Sequence, residues 1–271
     1  MCIRDSEREL NNIKIELDQN DLGRAFYNRI VSDSGPTYVD WENPENNTFH
    51  LALEVTCQNE GDEFRPDIVI FINGLPLSYI EVKQPNAIRD GKTAIQSEQS
   101  RTAVRFENRR FRRFNNITQL ISFSDNLPYI SGQGQQKQGS FYCSNAFSKT
   151  KFNAFKEERE EELIYSIRSL GEEEIDAVLK DVNRFALKSQ PEFKTNQNPS
   201  TPCNTFISSL YQKERLLFLL RYGLAYVEEH SKDGTIQLQK HVMRYPQFFA
   251  TKAIEDAIGK GVKKGLSLIH I

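Results

Sequence analysis

The stretch RPDIVIFINGLPLSYIEVK, residues 65–83, has an acid at its entrance, Asp67, and an acid and a lysine two apart at its end, Glu81 and Lys83. Side chains alternate along a strand, so Glu81 and Lys83 share a face, while Val82 points the other way, into the core. Two carboxylates brought to one face repel each other unless a cation joins them. Magnesium takes oxygen ligands, commonly one or two carboxylates, and keeps several waters. Asp67 and Glu81 are therefore the candidate metal ligands. Lys83 is the candidate group to orient a metal-bound water and to stabilise charge on a phosphate. Together they form a constellation for hydrolysing a phosphodiester. An isolated Glu-x-Lys is more often a surface ion pair, so the reading depends on the elements that position these residues.

Asn73-Gly74 is a strong hairpin signal between the strand segments DIVIFI and LSYIEV. A plain two-residue turn there pairs Asp67 with Ile80 and puts Asp67 and Glu81 on opposite faces. A three-residue loop, Ile72-Asn73-Gly74, with Gly74 left-handed as a bulge, restores a common face. We expect that bulge, or an Asp67 that sits beyond the regular pairing. Residues 7–34 read as helix from the recurrence of Leu10, Ile13, Leu17, Leu22, Phe26 and Ile30. TFHLALEVTC reads as a strand, residues 92–106 as a helix, and ITQLISFSD as a strand whose unbroken apolar run indicates burial. SGQGQQKQGS reads as a flexible loop, followed by a short apolar stretch, FYCSNAF. From Lys151 the chain becomes charged and helical. CNTFISSLYQKERLLFLLRYGLAYVEE reads as one or two amphipathic helices, and residues 236–265 lead into another. Boundaries near Lys151 and Thr235 fit these shifts, giving parts over 7–150, 151–235 and 236–265.

The chain has 271 residues, 38% hydrophobic and 27% charged, with net charge −2. This is a globular composition. With so little net charge, nucleic-acid binding must rest on a local patch. RFENRRFRRF offers one: Arg105, Arg109, Arg110, Arg112 and Arg113 interleaved with Phe106, Phe111 and Phe114. The alternative is a solvated basic turn on core phenylalanines. No apolar run spans a bilayer and no signal peptide is visible. The four cysteines (Cys2, Cys57, Cys143, Cys203) form no CxxC pair and read as reduced thiols of a cytoplasmic protein. His50, His230 and His241 are isolated, and the acidic run 157–162 reads as a solvated helix face. MCIRDS at the start and LSLIHI at the end can be encoded by reverse complements of one oligonucleotide, which resembles a sequencing-library adapter. Residues 1–6 and 266–271 are therefore set aside as adapter-derived, and the chain reads as an internal piece of a longer gene.

Taken together, RPDIVIFINGLPLSYIEVK, NRRFRRFNNITQLISFSDNLPY, QGSFY, KERLLFLLRYGLAYV and QKHVMRYPQFFATKAIEDAIGKGVKKG resemble the R subunit of type I restriction–modification enzymes and its PD-(D/E)xK nuclease motif. The resemblance implies an α/β fold: a restriction-endonuclease-like mixed central sheet flanked by helices, then a helical connector and the truncated start of a RecA-like motor domain. It makes Asp67 and Glu81 the metal-binding acids and Lys83 the catalytic lysine. It implies Mg²⁺-dependent cutting of double-stranded DNA, with ATP-driven translocation in the full-length protein. Methylation and specificity subunits would be partners, with S-adenosylmethionine belonging to them. Arg244 and Gln247, in RYPQFFA, resemble an adenine-sensing segment ahead of a helicase motor. Two features depart from the family pattern. Many R subunits carry QxxxY after the catalytic strand; by that resemblance Gln99 is a further candidate catalytic residue, although Ala103 stands where the tyrosine would follow it, and Gln96 is the other glutamine. No GxxxxGK[ST] phosphate loop occurs in the 271 residues. A non-catalytic DNA-binding or assembly module with a vestigial site, and a stand-alone nuclease, are the alternative readings.

Overall fold

The computed structural model describes residues 3–147, 150–161, 163, 168–230 and 234–261. Two helices open the chain, α1 (Ile3–Leu17) and α2 (Arg24–Val31). The single helix expected over residues 7–34 is broken where Leu22 and Gly23 take positive φ, 59° and 78°. Asp21 fixes the break by accepting the amides of Gly23 and Ala25. Gly23 is required there, since a Cβ would lie 2.4 Å from the Asn116 carbonyl oxygen.

Strand β1 (Phe49–Leu53) follows, then a small hairpin of β2 (Cys57–Asn59) and β3 (Asp62–Phe64), and the hairpin of β4 (Ile68–Ile72) and β5 (Leu75–Val82). A two-residue pair, β6 (Ile88–Arg89) and β7 (Lys92–Thr93), leads into α3 (Ala94–Glu107) and α4 (Arg112–Ile117). Next come β8 (Leu120–Ser124), β9 (Ile130–Gly132), β10 (Gln135–Gln138), β11 (Ser140–Cys143) and β12 (Asn153–Ala154). The stretch expected as a flexible loop is thus largely a β9–β10 hairpin. Gln133 and Gly134 turn it with φ of 52° and 73°, the left-handed pair that a two-residue hairpin turn requires.

The central sheet has the order β1-β4-β5-β8-β11-β12 and is mixed, as expected. Only β5 and β8 run parallel, joined through α3 and α4; the other neighbours are antiparallel. β8 is buried along its whole length, as its apolar run requires. One face carries Val69, Tyr79, Ile121 and Phe123, covered by Ile95 of α3 together with Phe64 and Phe111. The opposite face carries Ile70, Ile72, Ile80 and Leu120, covered by Phe26 and Ile30 of α2 and by elements from the C-terminal part of the chain.

The C-terminal part holds helices α5 (Glu172–Asp181), α6 (Pro191–Asn196), α7 (Pro202–Leu210), α8 (Lys213–Tyr222) and α9 (Tyr245–Gly259), with strands β13 (Leu224–His230) and β14 (Ile236–Val242) paired before α9; α7, α8, α9 and the strand pair supply the cover. One expectation changes here. Residues 224–230 are a strand rather than the end of a helix, because α8 stops at Gly223, where a Cβ would meet Leu219 Cδ1 at 2.4 Å. The apolar face of residues 216–224 is buried. Leu216, Leu217, Leu220 and Leu224 pack with Phe206, Phe248 and Phe249 against the sheet. One core therefore crosses the expected boundaries near Lys151 and Thr235. The adapter-like residues 1–2 and 266–271 lie outside the described residues; residues 3–6 form the first turn of α1.

The β13–β14 hairpin is tied to the sheet by a buried lysine. Lys240 Nζ donates to Gln119 Oε1 at 2.7 Å and lies 5.3 Å from the centre of the Tyr226 ring. Burial pushes this ammonium down to about 7. The unfolded chain then binds the extra proton between about pH 7 and pH 10, so stability rises with pH across that window. We expect chemical denaturation to show a gain on the order of 2 kcal/mol from pH 7 to pH 10, and Lys240→Met to flatten it. An unchanged slope in the variant would assign the effect elsewhere.

Candidate active site

The hairpin resolves the register conflict in a way that differs from the expected three-residue loop. Asn73 and Gly74 form a two-residue turn, φ 50° and 83°, closed by Ile72 opposite Leu75. The bulge lies inside β5: Phe71 faces Pro76 and Ile70 faces Ser78, leaving Leu77 as the extra residue. Pro76 has no N–H for the ladder, so pairing is interrupted there at little cost. The slip leaves Ile68 facing Ile80. The next residues outward, Asp67 and Glu81, then come level on the face that also carries Val69 and Tyr79. Asp67 sits just beyond the ladder, where its Oδ2 accepts the Val82 amide at 2.7 Å. Val82 points to the other face, as expected, but is 46% exposed and not in the core.

Lys83 Nζ is the hub of the site. It lies 2.5 Å from Glu81 Oε2, 3.1 Å from Glu98 Oε2 and 4.0 Å from Asp67 Oδ2. Arg105 Nη1 braces the far side, 3.4 Å from Glu81 Oε1 and 3.2 Å from Glu98 Oε1, with its guanidinium 4.8 Å from the centre of the Phe64 ring. Arg101 and Thr102 also donate to Glu98. The Glu81 and Glu98 side chains are 5% and 0% exposed, against 43% for Asp67. Burial, then the charge of Glu98, holds the Glu81 carboxyl above its ordinary range. Burial opposes ionisation of Glu98 as well, but Lys83, Arg105 and Arg101 outweigh it and pull that carboxyl down.

Glu98 is the residue that the sequence reading passed over. Ile95, Glu98 and Thr102 form the buried stripe of α3, with Arg105 continuing it. A glutamate within a core-facing 3-4 stripe was the available signal. Gln99 faces away from this cluster, donating to Gln136 Oε1 at 2.7 Å, and Gln96 closes the capping box of α3 with Thr93.

The five arginines do not form one patch. Arg105 belongs to the acid cluster, not to a DNA-facing surface. Arg110 pairs with Glu60 and Asp62, and Arg113 grips Asp18 through two nitrogens. Arg109 and Arg112 line a cavity of about 220 Å³ with Gln19, Asn20 and Asn108. Phe111 is a core residue, and Phe106 and Phe114 pack against that core. Gln247 Oε1 accepts the Arg244 amide at 3.0 Å, so this pair caps α9. His50 and His230 are exposed, and His241 lies 3.9 Å from Glu229 and 3.3 Å from Lys151. Glu157 is not part of a solvated face: it is 4% exposed, bonded to Ser209 and 2.7 Å from Arg215. Glu162 lies outside the described residues. Cys57, Cys143 and Cys203 are free thiols. Among the described residues no group of three or more His, Cys, Asp or Glu side chains is arranged to hold a metal; Asp67 and Glu81 are a set of two.

Residues 3–161, which include the bulged hairpin, α3 and the whole central sheet, match the model of the type I restriction enzyme R protein N terminus. The chain belongs to this family. It also resembles a putative type I restriction enzyme MjaIXP endonuclease subunit of Methanocaldococcus jannaschii, at 23% identity over 262 residues. That match covers 96% of this chain and 20% of the relative, so the chain spans about a fifth of that protein's length. Membership in the R-protein family supports a nuclease role in restriction. No helix among the described residues is long and apolar enough to cross a membrane.

The two buried acids are expected to differ in what their removal does. Glu98→Gln takes from Lys83 and Arg105 the more deeply buried of their two carboxylate partners and should cost about 3 kcal/mol in denaturant unfolding. Glu81→Gln removes a charge that burial and Glu98 both oppose, and should leave stability unchanged or raise it. Equal losses in the two variants would contradict this division of roles.

Proposed function

We propose that this chain is the endonuclease part of a type I restriction subunit and that it cuts double-stranded DNA with a divalent cation held by Asp67 and Glu81. The observation that carries the reading is the Leu77 bulge, which brings those two acids to one face with Lys83 between them. The donor set suits magnesium: two hard carboxylates, one half open to solvent and one deeply buried. Magnesium bound there would polarise a phosphate oxygen and sharpen the acidity of a bound water.

The chain's own groups would do the rest. Lys83 would orient the attacking water and stabilise charge on the phosphate. Glu98 and Arg105 would hold Lys83 and Glu81 in place, and Glu98 would remain a partner for Lys83 if Glu81 held a cation. Arg109 and Arg112, and to a lesser degree the acid-paired Arg110 and Arg113, would contact phosphates. Gln99 has no part in this chemistry as we read it.

In the longer protein, ATP-driven translocation would bring DNA to the site. β14 and α9 would lead into a RecA-like motor, with Arg244 and Gln247 near the adenine. Methylation and specificity subunits would be its partners in the cytoplasm. Calorimetry with Mg²⁺ or Mn²⁺ tests the site: binding should be lost in Asp67→Ala and in Glu81→Ala. Lys83→Ala should keep the cation but nick duplex DNA at least ~100-fold more slowly. Cation binding indifferent to both acid substitutions would favour a docking module with a vestigial site.

A further inference from the structure

The glutamine-rich hairpin has no role in the site just described, yet it builds a surface of its own. β9 and β10 stand against the first turns of α3 and enclose a cleft of about 900 Å³. Gln96 and Gln99 line it from the helix, and Gln133, Gln135 and Lys137 from the hairpin, with Lys92 at its rim. The hairpin is held in place. Thr93 Oγ1 donates to the Lys137 carbonyl at 2.5 Å, Gln96 Nε2 to Gln135 Oε1 at 3.2 Å, and Gln136 Nε2 to the Phe152 carbonyl at 2.9 Å.

Two properties distinguish this cleft. Its lining contains no aspartate or glutamate, in a chain whose net charge is −2. Neither of its two cations is taken up by an acid. Lys92 and Lys137 are exposed and, among the described residues, neither ammonium has a carboxylate partner; Lys92 Nζ makes only a neutral contact, donating to Ser100 Oγ at 3.4 Å. Arg110 and Arg113 of the arginine run are, by contrast, paired with acids. Register irregularity at Lys137, between Gln136 and Gln138, makes it the extra residue of β10, and bulges re-aim side chains. Exposed lysines without an acid partner provide phosphate contacts, and glutamine amides can both donate to and accept from base edges. Glu98 and Gln99 are adjacent on α3, so the cleft opens within about one helical turn, roughly 5.4 Å along the axis, of the acid cluster.

We propose that this cleft is a DNA-binding surface: Lys92 and Lys137 grip the phosphate backbone of a duplex, and Gln133 and Gln135 meet its groove, beside the strand presented to Glu81 and Lys83. The proposal rests on the nuclease reading for its partner and goes beyond it in naming the surface.

The test is anisotropy of a short fluorescent DNA duplex in metal-free buffer, over a salt series. Compared are the unmodified chain, the Lys92→Gln/Lys137→Gln double variant, a Gln133→Ala/Gln135→Ala variant, and Lys194→Gln as an exposed control. The lysine pair should lose about 10-fold in affinity, and the slope of log affinity against log salt should fall by about two, one for each phosphate no longer neutralised. The glutamine pair should lose affinity with the slope unchanged, and the control should bind like the unmodified chain. All substituted side chains are exposed, so matching thermal melts will show that the fold is retained. A lysine variant that binds with full affinity and full slope overturns the proposal, as does an unmodified chain that does not bind. Nicking of plasmid DNA by the unmodified chain in Mg²⁺ is scored separately. Nicking with no effect of the cleft variants sinks the cleft and spares the nuclease reading. Lysine-dependent binding without nicking does the reverse.

Discussion

Because side chains alternate between the two faces of a sheet, the register between β4 and β5 determines which charges can meet. One extra residue, Leu77, shifts that register by a single position. Without it Asp67 would pair with Ile80 and share that residue's side of β5, and Glu81 would be left alone with Lys83. With it, Asp67, Glu81 and Lys83 face α3. Everything else in the site follows from this: the approach of Glu98, the bracing by Arg105, and the closure of the strand end by the Asp67–Val82 hydrogen bond. The slip sits where a proline has already removed a ladder donor, so the sheet loses little by it.

The site shows how several charges are kept at the edge of a core. Glu81 and Glu98 are nearly inaccessible and repel each other. Lys83 and Arg105 each contact both acids, so no buried carboxylate depends on one partner. Such an arrangement is costly to assemble and more costly to break at Glu98, whose charge the two cations stabilise, than at Glu81, whose charge burial and Glu98 oppose. It also keeps the lysine poised between two acceptors. Phe64, which stacks under Arg105 and joins the core with Tyr79 and Phe111, anchors the cluster to the packed interior.

The opposite face of the sheet is covered from both ends of the sequence. Tyr27 donates to the Arg221 carbonyl, Tyr142 to the Met243 carbonyl, and Tyr211 bridges Ser78 and Ser122 on the two parallel strands. Tyr211, just after α7, is thus part of what holds β5 and β8 together in register. The buried Glu157–Arg215 pair, with Ser209 and the Phe249 ring against the arginine, ties the connector to α9 in the same way.

Much of this was legible from local chemistry. The β4–β5 hairpin, the helix after it, the buried strand β8 and the Asp67–Glu81–Lys83 set follow from alternation, turn residues and spacing, which are properties of short segments. The conflict in hairpin register was legible too, since it is a matter of counting residues, but where the bulge would fall was not. That depended on Pro76 within the ladder and on β8 pairing with the other edge of β5. Glu98 was missed because a glutamate on a helix reads as solvent-exposed until the helix is laid on the sheet. The arginine run read as a patch because sequence proximity hides the acids, Asp18 and Asp62, that meet it from elsewhere. The β9–β10 hairpin read as a loop because glutamine and glycine carry little strand preference, and contacts with α3 fix it. Local sequence by itself determined which groups could do chemistry; long-range packing alone decided which of them meet, because burial and charge pairing act between residues far apart in the chain.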